Sequence, residues 1–159
     1  MSKIVLITII VVLLVVFVLG IYIYLIFGNN KSAVPGKQNT NPTSFEIQGM
    51  KVEVLKEGSG MGAKIGDYVT AHYVGALQDG KEFDSSIKRN IPFTFQLGQN
   101  RVIKGWDLGL VGMKVGEKRK LTIPPELAYG LDGFPPTIPQ KSILTYVIDL
   151  LSINPSPQQ

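Results

Sequence analysis

The sequence predicts an α+β domain, built from a mostly antiparallel sheet and one short α-helix, with a single transmembrane helix before it. Three observations support this prediction. Residues 4–27 form an uncharged apolar run, several later segments alternate between apolar and polar residues, and one stretch has helical spacing. Alternation places apolar side chains on one face of a strand, whereas recurrence at about every fourth residue places them on one face of a helix.

The N-terminal apolar run, Ile4–Phe27, contains 24 residues without a charged side chain. As a helix it would rise about 36 Å, and a bilayer core is about 30 Å thick. A cleaved signal peptide has an apolar core of about 7–15 residues and a small-x-small site, but this run is longer and lacks that site. We therefore expect residues 1–27 to form an uncleaved, single-pass membrane anchor.

The side of the membrane is less strongly marked in the sequence. Lys3 precedes the apolar run, and Lys31 and Lys37 follow it soon after. The positive charges on the two sides of the run are therefore nearly equal in number, so the positive-inside rule does not decide the orientation. A very short head followed by a large domain usually inserts with the head inward, which favours an extracytoplasmic domain.

Residues 28–44 predict a flexible linker, because they are rich in Asn, Pro and Gly and offer only Ala33 and Val34 as other apolar side chains. The folded domain is expected over residues 45–159. Of the chain's net charge of +4, three charges lie in residues 1–44, so the domain is nearly neutral. A nucleic-acid-binding domain would carry clustered Lys and Arg, so no nucleic-acid partner is expected. The short basic run Lys118–Lys120 is interpreted as a solvated strand face.

Several segments of the domain have the composition or alternation of half-buried strands. They are Met50–Leu55, Tyr68–Val74, Phe93–Leu97, Lys118–Ile123 and Ile143–Leu151. An Asp79-Gly80 turn connects the second segment to a short strand at Glu82–Asp84. Helical spacing is confined to Val102, Trp106 and Leu110, with Ile103 beside them. Two Pro-Pro pairs, at residues 124–125 and 135–136, mark loops.

Several kinds of chemistry lack the residues that they require. The chain has no cysteine, which excludes disulfides, thiol catalysis and thiolate metal sites. His72 is the only histidine, so we expect it to be structural or solvent-facing and expect no metal site. The glycines of Gly58–Gly62 are not followed by the Lys-Ser/Thr of a phosphate-binding loop, and no Gly-x-Ser-x-Gly motif is present. We expect no cofactor.

Aromatic residues recur through the domain, separated by turns. They are Tyr73, Phe83, Phe93, Trp106, Tyr129 and Tyr146. Taken singly, each fits an ordinary hydrophobic core. Together with Asp84 and Arg89 they are also able to line an apolar pocket that holds a few polar groups, the usual character of a ligand site.

The order of motifs carries more information than the composition. In sequence order these motifs are Val69–Gly75, Asp79–Ser86, Pro92-Phe93, Val102–Trp106, Lys114–Pro124, Leu127–Gly130 and Ile138-Pro139. This series closely resembles the FKBP-type peptidyl-prolyl cis-trans isomerases. The resemblance extends over about residues 45–153, and its motifs lie within residues 66–153.

The resemblance implies an antiparallel half-barrel sheet wrapped across one short helix, with a cleft between them in which X-Pro bonds isomerise. It implies catalytic roles for Tyr73, Phe83, Asp84, Trp106, Tyr129 and Tyr146. It implies substrate-binding roles for Arg89, Phe93, Val102, Ile103, Phe134 and Ile138. The implied partners are proline-containing polypeptides and FK-type macrolides. Tyr146 departs from the family pattern, in which phenylalanine is common at this position.

We therefore expect an isomerase that assists the folding of client proteins near a membrane. One alternative is a non-catalytic module that binds a peptide or partner in the same cleft. An intact set of site residues argues against it: Tyr73, Phe83, Asp84, Trp106 and Tyr129. A second alternative is a chaperone whose activity lies in a separate flap domain. The loop between Tyr129 and Ile138 is too short to contain such a domain.

Overall fold

The computed structural model describes residues 43–155. Within these residues, no helix has both the length and the apolar character needed to cross a membrane. The predicted anchor, residues 1–27, and nearly all of the predicted linker lie outside the described part of the chain.

The described chain forms an antiparallel sheet with two short helices and one 3-10 turn. The strands are β1 Thr43–Ile47, β2 Met50–Lys56, β3 Tyr68–Leu77, β4 Glu82–Ser85, β5 Phe93–Gln96, β6 Lys118–Ile123 and β7 Leu144–Asn154. The helices are α1 Ser86–Arg89 and α2 Lys104–Gly109, and the 3-10 turn is Pro125–Leu127. The strand order is β1-β2-β6-β7-β3-β4, with β5 also paired to β3. The predicted combination of an antiparallel sheet with a short helix is confirmed.

The core lies between α2 and the inner face of the sheet. Alternate residues of β7 are buried there, as the sequence predicts: Leu144, Tyr146, Ile148 and Leu150. Helix α2 lies close against β6 because two of its positions are glycine. A Cβ at Gly105 would come within 2.6 Å of Ile123, and one at Gly109 within 2.7 Å of Leu121. Helix α2 is thereby held directly against the sheet.

Three elements differ from the predicted boundaries. Strand β1 begins at Thr43, which pairs with Val54, so regular structure starts two residues before the predicted domain start. Helix α1 was not predicted, since four residues are too few to show a helical period. It begins after Ser85, whose Oγ accepts a 3.3 Å hydrogen bond from the Lys88 N–H. Helix α2 is also shorter than the spacing of its apolar residues suggested, and Ile103 is its N-cap.

The interpretation of Lys118–Lys120 as a solvated face is wrong for Arg119. Alternation along β6 turns Arg119 into the core, where it is buried beside Glu117. Its Nε lies 2.5 Å from the Glu117 carboxylate, and its Nη1 donates to the carbonyls of Gly109 at 2.7 Å and Val111 at 3.2 Å. The cost of burying the arginine side chain is offset because each of these groups accepts a hydrogen bond from it. Arg119 thereby ties the end of α2 to the sheet.

Candidate active site

A cleft of about 220 Å³ opens between α2 and the strands that face it. Its lining residues are Tyr73, Asp84, Phe93, Arg101, Val102, Ile103, Trp106, Tyr129 and Tyr146. Eight of these nine are among the twelve site residues expected from the sequence. They come from β3, β4, β5, β7, the start of α2 and the loop after the 3-10 turn, so the sheet and the helix build the cleft together.

Trp106 forms the floor of the cleft and is only 4% exposed. The Tyr73 and Tyr146 rings meet it edge to face, with centroids 5.0 and 5.2 Å away, and the Phe93 ring meets it at 6.2 Å. This is a favoured geometry for aromatic pairs. The indole Nε1–H is buried without a hydrogen-bond partner among residues 43–155. The orientation of the floor is fixed by these three neighbouring rings.

Phe83 packs against the cleft wall formed by Tyr146. Its ring lies 5.7 Å from the Tyr146 ring, edge to face. Both rings stand over Gly75, where a Cβ would come within 2.7 Å of Tyr146 and 2.9 Å of Phe83. The glycine at this position of β3 leaves the space that the two rings occupy.

At the rim, Asp84 is held by two neighbours. The Tyr73 hydroxyl donates a 2.5 Å hydrogen bond to its Oδ2, and Arg89 Nη1 donates to its Oδ1. Arg89 Nη2 also donates to the Tyr73 hydroxyl at 2.9 Å, which closes a three-membered network. Burial alone would raise the pKa of Asp84, but these hydrogen bonds and the charge of Arg89 outweigh burial and lower it. The carboxylate thus stays ionised at neutral pH.

Helix α1 explains how Arg89 reaches this network. Ser86 Oγ accepts a 2.8 Å hydrogen bond from the Tyr73 backbone N–H and lies 2.9 Å from His72 Nδ1. These contacts fix the first residue of α1 against β3, and one helical turn later Arg89 points back toward Asp84. His72 thus has the structural role expected of it.

The loop after the 3-10 turn overhangs the cleft. Tyr129 lines the cleft, and its ring lies 5.6 Å from the ring of Phe134, which is 60% exposed. Phe134 and Ile138 exchange two backbone hydrogen bonds of 2.8 Å, and the Ile138 side chain is buried. Phe134 and Ile138 therefore lie outside the cleft lining, where one packs against Tyr129 and the other anchors the loop.

Two tyrosines that line the cleft, Tyr146 of β7 and Tyr129 of the loop after the 3-10 turn, stay neutral. Burial raises the pKa of Tyr146 far above its usual range, and the neighbouring Tyr129, Tyr73 and Asp84 raise it further. Burial and the charge of Asp84 also raise the pKa of Tyr129. Both hydroxyls therefore remain protonated and able to donate.

Arg101 is the lining residue that the sequence analysis missed. It lies on the short loop before α2, where an exposed side chain leaves no periodic signal. The only signal in the sequence is its position directly before Val102-Ile103, which begin a motif that lines the cleft.

The arrangement of the cleft residues defines a class of site. An apolar floor and walls with a few fixed polar groups at the rim suit a small apolar ring whose flanking amides reach solvent. Within residues 43–155, no cluster of three or more His, Asp or Glu side chains is placed to hold a metal ion.

Comparison with known proteins identifies the family. Residues 60–151 match the family model described as FKBP-type peptidyl-prolyl cis-trans isomerase. FK506-binding protein 1A of Aspergillus fumigatus is 51% identical over 107 residues, which cover 67% of this chain and 96% of that protein. Peptidyl-prolyl cis-trans isomerase FKBP2 of Homo sapiens is 57% identical over 88 residues, which cover 55% of this chain and 62% of that protein.

Solved structures agree with the sequence relatives. The crystal structure of AtFKBP13 is similar with a TM-score of 0.62 and 42% identity, covering 65% of this chain and 92% of that one. FkpA from Escherichia coli is similar with a TM-score of 0.66 and 43% identity, covering 72% and 53%. The chain belongs to the FKBP-type peptidyl-prolyl cis-trans isomerases and is an enzyme of that type. The family expected from the motif order is confirmed.

Proposed function

We propose that this isomerase acts on proline-containing segments held over Trp106, in client proteins that fold close to a membrane. The observation that supports the site is the buried indole floor, enclosed by the Tyr73, Phe93 and Tyr146 rings, with polar groups confined to the rim. The observation that supports the setting is the uncharged run at residues 4–27.

The chemistry needs no nucleophile. Rotation about a peptide bond is opposed by a barrier of about 18–20 kcal/mol, because the planar amide must lose its resonance. The twisted amide has less charge separation than the planar one, so an apolar cleft favours it relative to water. The proline ring would lie on Trp106, with Tyr73 and Tyr146 as walls and Phe83 packed against Tyr146.

Two donors are free to orient the substrate. The Ile103 backbone N–H makes no backbone hydrogen bond within residues 43–155, and neither it nor the Tyr129 hydroxyl takes part in a side-chain hydrogen bond there. We assign to them the carbonyl groups on either side of the X-Pro bond. Fixed donors of this kind hold the reacting bond in its twisted geometry without reorganising at the moment of reaction.

Asp84 acts by position. Its two oxygens already accept hydrogen bonds from Tyr73 and Arg89, and its lowered pKa keeps it from carrying a proton. Its role is to fix the Tyr73 ring as a wall and to keep the rim rigid. Phe93, Val102 and Ile103 complete the apolar surface.

The setting follows from the N-terminal sequence. A membrane span over residues 4–27 and a linker of about 17 residues would keep the cleft within a few tens of ångströms of the bilayer. Newly translocated chains emerge at that distance, and the extracytoplasmic side is the one that the short N-terminal head favours. Because a relative is named an FK506-binding protein, we also propose FK-type macrolides as ligands of the cleft.

Refolding of a client tests this function. The full chain, reconstituted in lipid vesicles, is added to a translocated protein whose slow refolding phase is limited by proline isomerisation. We expect that phase to become faster in proportion to the enzyme present. Binding of the client without acceleration would instead indicate a non-catalytic module. Protease accessibility of the domain in membrane vesicles isolated from cells, compared before and after the vesicles are opened, would fix the side of the membrane.

A further inference from the structure

We propose that Arg101 gives the cleft a preference for clients with an acidic side chain within two residues of the proline. This inference rests on the proposed function of the cleft and names a substrate class for it. Two observations support it. Arg101 is an exposed arginine on the cleft lining, and Asp84, the carboxylate at the rim, already accepts a hydrogen bond from Arg89.

The chain contains three arginines, and Arg101 differs from the other two. Arg89 pairs with Asp84, and Arg119 pairs with Glu117. Arg101 has no carboxylate at ion-pairing distance within the described residues. Its guanidinium therefore retains its full capacity for a ligand carboxylate.

The other charged groups of the cleft do not offset Arg101. Of the lining residues, only Asp84 and Arg101 are charged at neutral pH, and the charge of Asp84 is neutralised by Arg89. Tyr129 and Tyr146 remain neutral because their pKa values are raised. The cleft mouth thus presents one uncompensated positive charge.

The backbone that carries Arg101 is fixed. The carboxylate of Asp107 accepts hydrogen bonds from the N–H groups of Gly98 at 2.8 Å and Asn100 at 3.0 Å. Asn100, directly before Arg101, adopts a left-handed conformation with φ 53°. Because Ile103 follows two residues later, a substrate held at the Ile103 N–H passes close to Arg101.

A guanidinium has the shape to bind a carboxylate with two parallel hydrogen bonds. An ion pair between Arg101 and a client carboxylate would be exposed to water, where such pairs contribute at most about 1 kcal/mol. We therefore expect a three- to fivefold gain in kcat/KM, which corresponds to about 0.6–1 kcal/mol. Screening by salt should remove most of this gain.

The test measures kcat/KM of the full chain in detergent by exchange spectroscopy on short peptides. The peptides share one X-Pro core and carry Glu, Gln or Lys at one flanking position at a time, within two residues of the proline. We expect the wild type to prefer Glu over Gln over Lys at one position at least. Arg101→Gln should abolish that order, and Arg101→Glu should reverse it.

Lys64→Glu is the matched control, because it makes the same change in net charge at an exposed residue outside the cleft lining. It should leave the order of peptides unchanged. Equal rates on all peptides, or a shift by Lys64→Glu as large as that by Arg101→Glu, would overturn the role of Arg101. Failure of the proposed function looks different, since the folded wild type would then not accelerate even the Gln peptides.

Discussion

The hydroxyl of Tyr73 donates a 2.5 Å hydrogen bond to Oδ2 of Asp84, so the only carboxylate on the cleft lining is engaged by a cleft wall. Arg89 donates to both residues and completes the network. The carboxylate has no free role as a proton acceptor. We infer that Asp84 contributes by holding the Tyr73 ring over Trp106. A change at Asp84 is then expected to affect turnover more than stability.

Asp84→Ala should lower turnover more than stability. The Asp84 side chain is 37% exposed, and an exposed ion pair contributes about 0–1 kcal/mol to folding. We expect urea unfolding to shift by no more than that, while kcat/KM falls by about tenfold or more, roughly 1.4 kcal/mol. Glu82→Ala is the matched control, because it removes another carboxylate of β4 that pairs with Lys88 at 2.9 Å. A large loss of stability with full activity in the folded fraction would make Asp84 a structural residue only.

The same network predicts a pH dependence. The pKa of Asp84 is lower in the folded chain than its ordinary value of 3.8, so its ionised form stabilises the fold above that value. As pH falls through the lowered folded pKa, this contribution is lost. The difference in unfolding free energy between wild type and Asp84→Asn should be constant above about pH 5 and shrink below 3.8. A difference that stays level down to pH 2 would contradict the network.

Glu117→Gln should be far more destabilising than changes at exposed ion pairs. It removes one partner of the buried Glu117–Arg119 pair, and breaking such a pair costs about 3–5 kcal/mol. Asp149→Asn, which breaks the partly exposed pair with Lys118, should cost less than about 1 kcal/mol. Chemical denaturation of both variants measures this. Equal effects would contradict the energetic importance of the buried Glu117–Arg119 ion pair.

Much of the fold was predictable because burial on one face leaves alternation in the sequence. Strands β6 and β7 show it most clearly, with Leu121 and Ile123 on one and Leu144 to Leu150 on the other. Strand β1 was missed because its residues are mostly exposed, and α1 because it is a single turn. Arg119 was misplaced because a basic residue in an alternating strand predicts an outward side chain unless its buried partner is known.

The site was predictable through the order of motifs rather than through local patterns. No periodic signal distinguishes Tyr73 or Trp106 from core residues, and both are in fact buried in the core as well as on the cleft. Phe83 and Phe134 are expected in contact with substrate, and the structure packs their rings against Tyr146 and Tyr129, which line the cleft. The contacts of these two rings depend on packing in three dimensions, which the spacing of residues along the chain does not reveal.

Removal of residues 1–42 should leave catalysis on a short peptide unchanged. Every cleft-lining residue lies at Tyr73 or beyond, and the cut falls before Thr43, so the pairing of β1 with β2 is kept. The kcat/KM of the shortened chain should equal that of the full chain in detergent, while membrane retention is lost. If the shortened chain is folded by circular dichroism yet loses tenfold or more in kcat/KM, the N-terminal segment contributes to the site.

The central claim is that the Trp106 cleft isomerises X-Pro bonds, and one measurement tests it most directly. Exchange spectroscopy on a short proline peptide gives the rate of interconversion of its cis and trans forms with and without a catalytic amount of the full chain in detergent. Because Trp106 is the only tryptophan, its fluorescence reports occupancy of the cleft in the same sample. We expect accelerated exchange that saturates at the peptide concentration at which the fluorescence change saturates. A folded protein that leaves exchange at its uncatalysed rate would contradict the account.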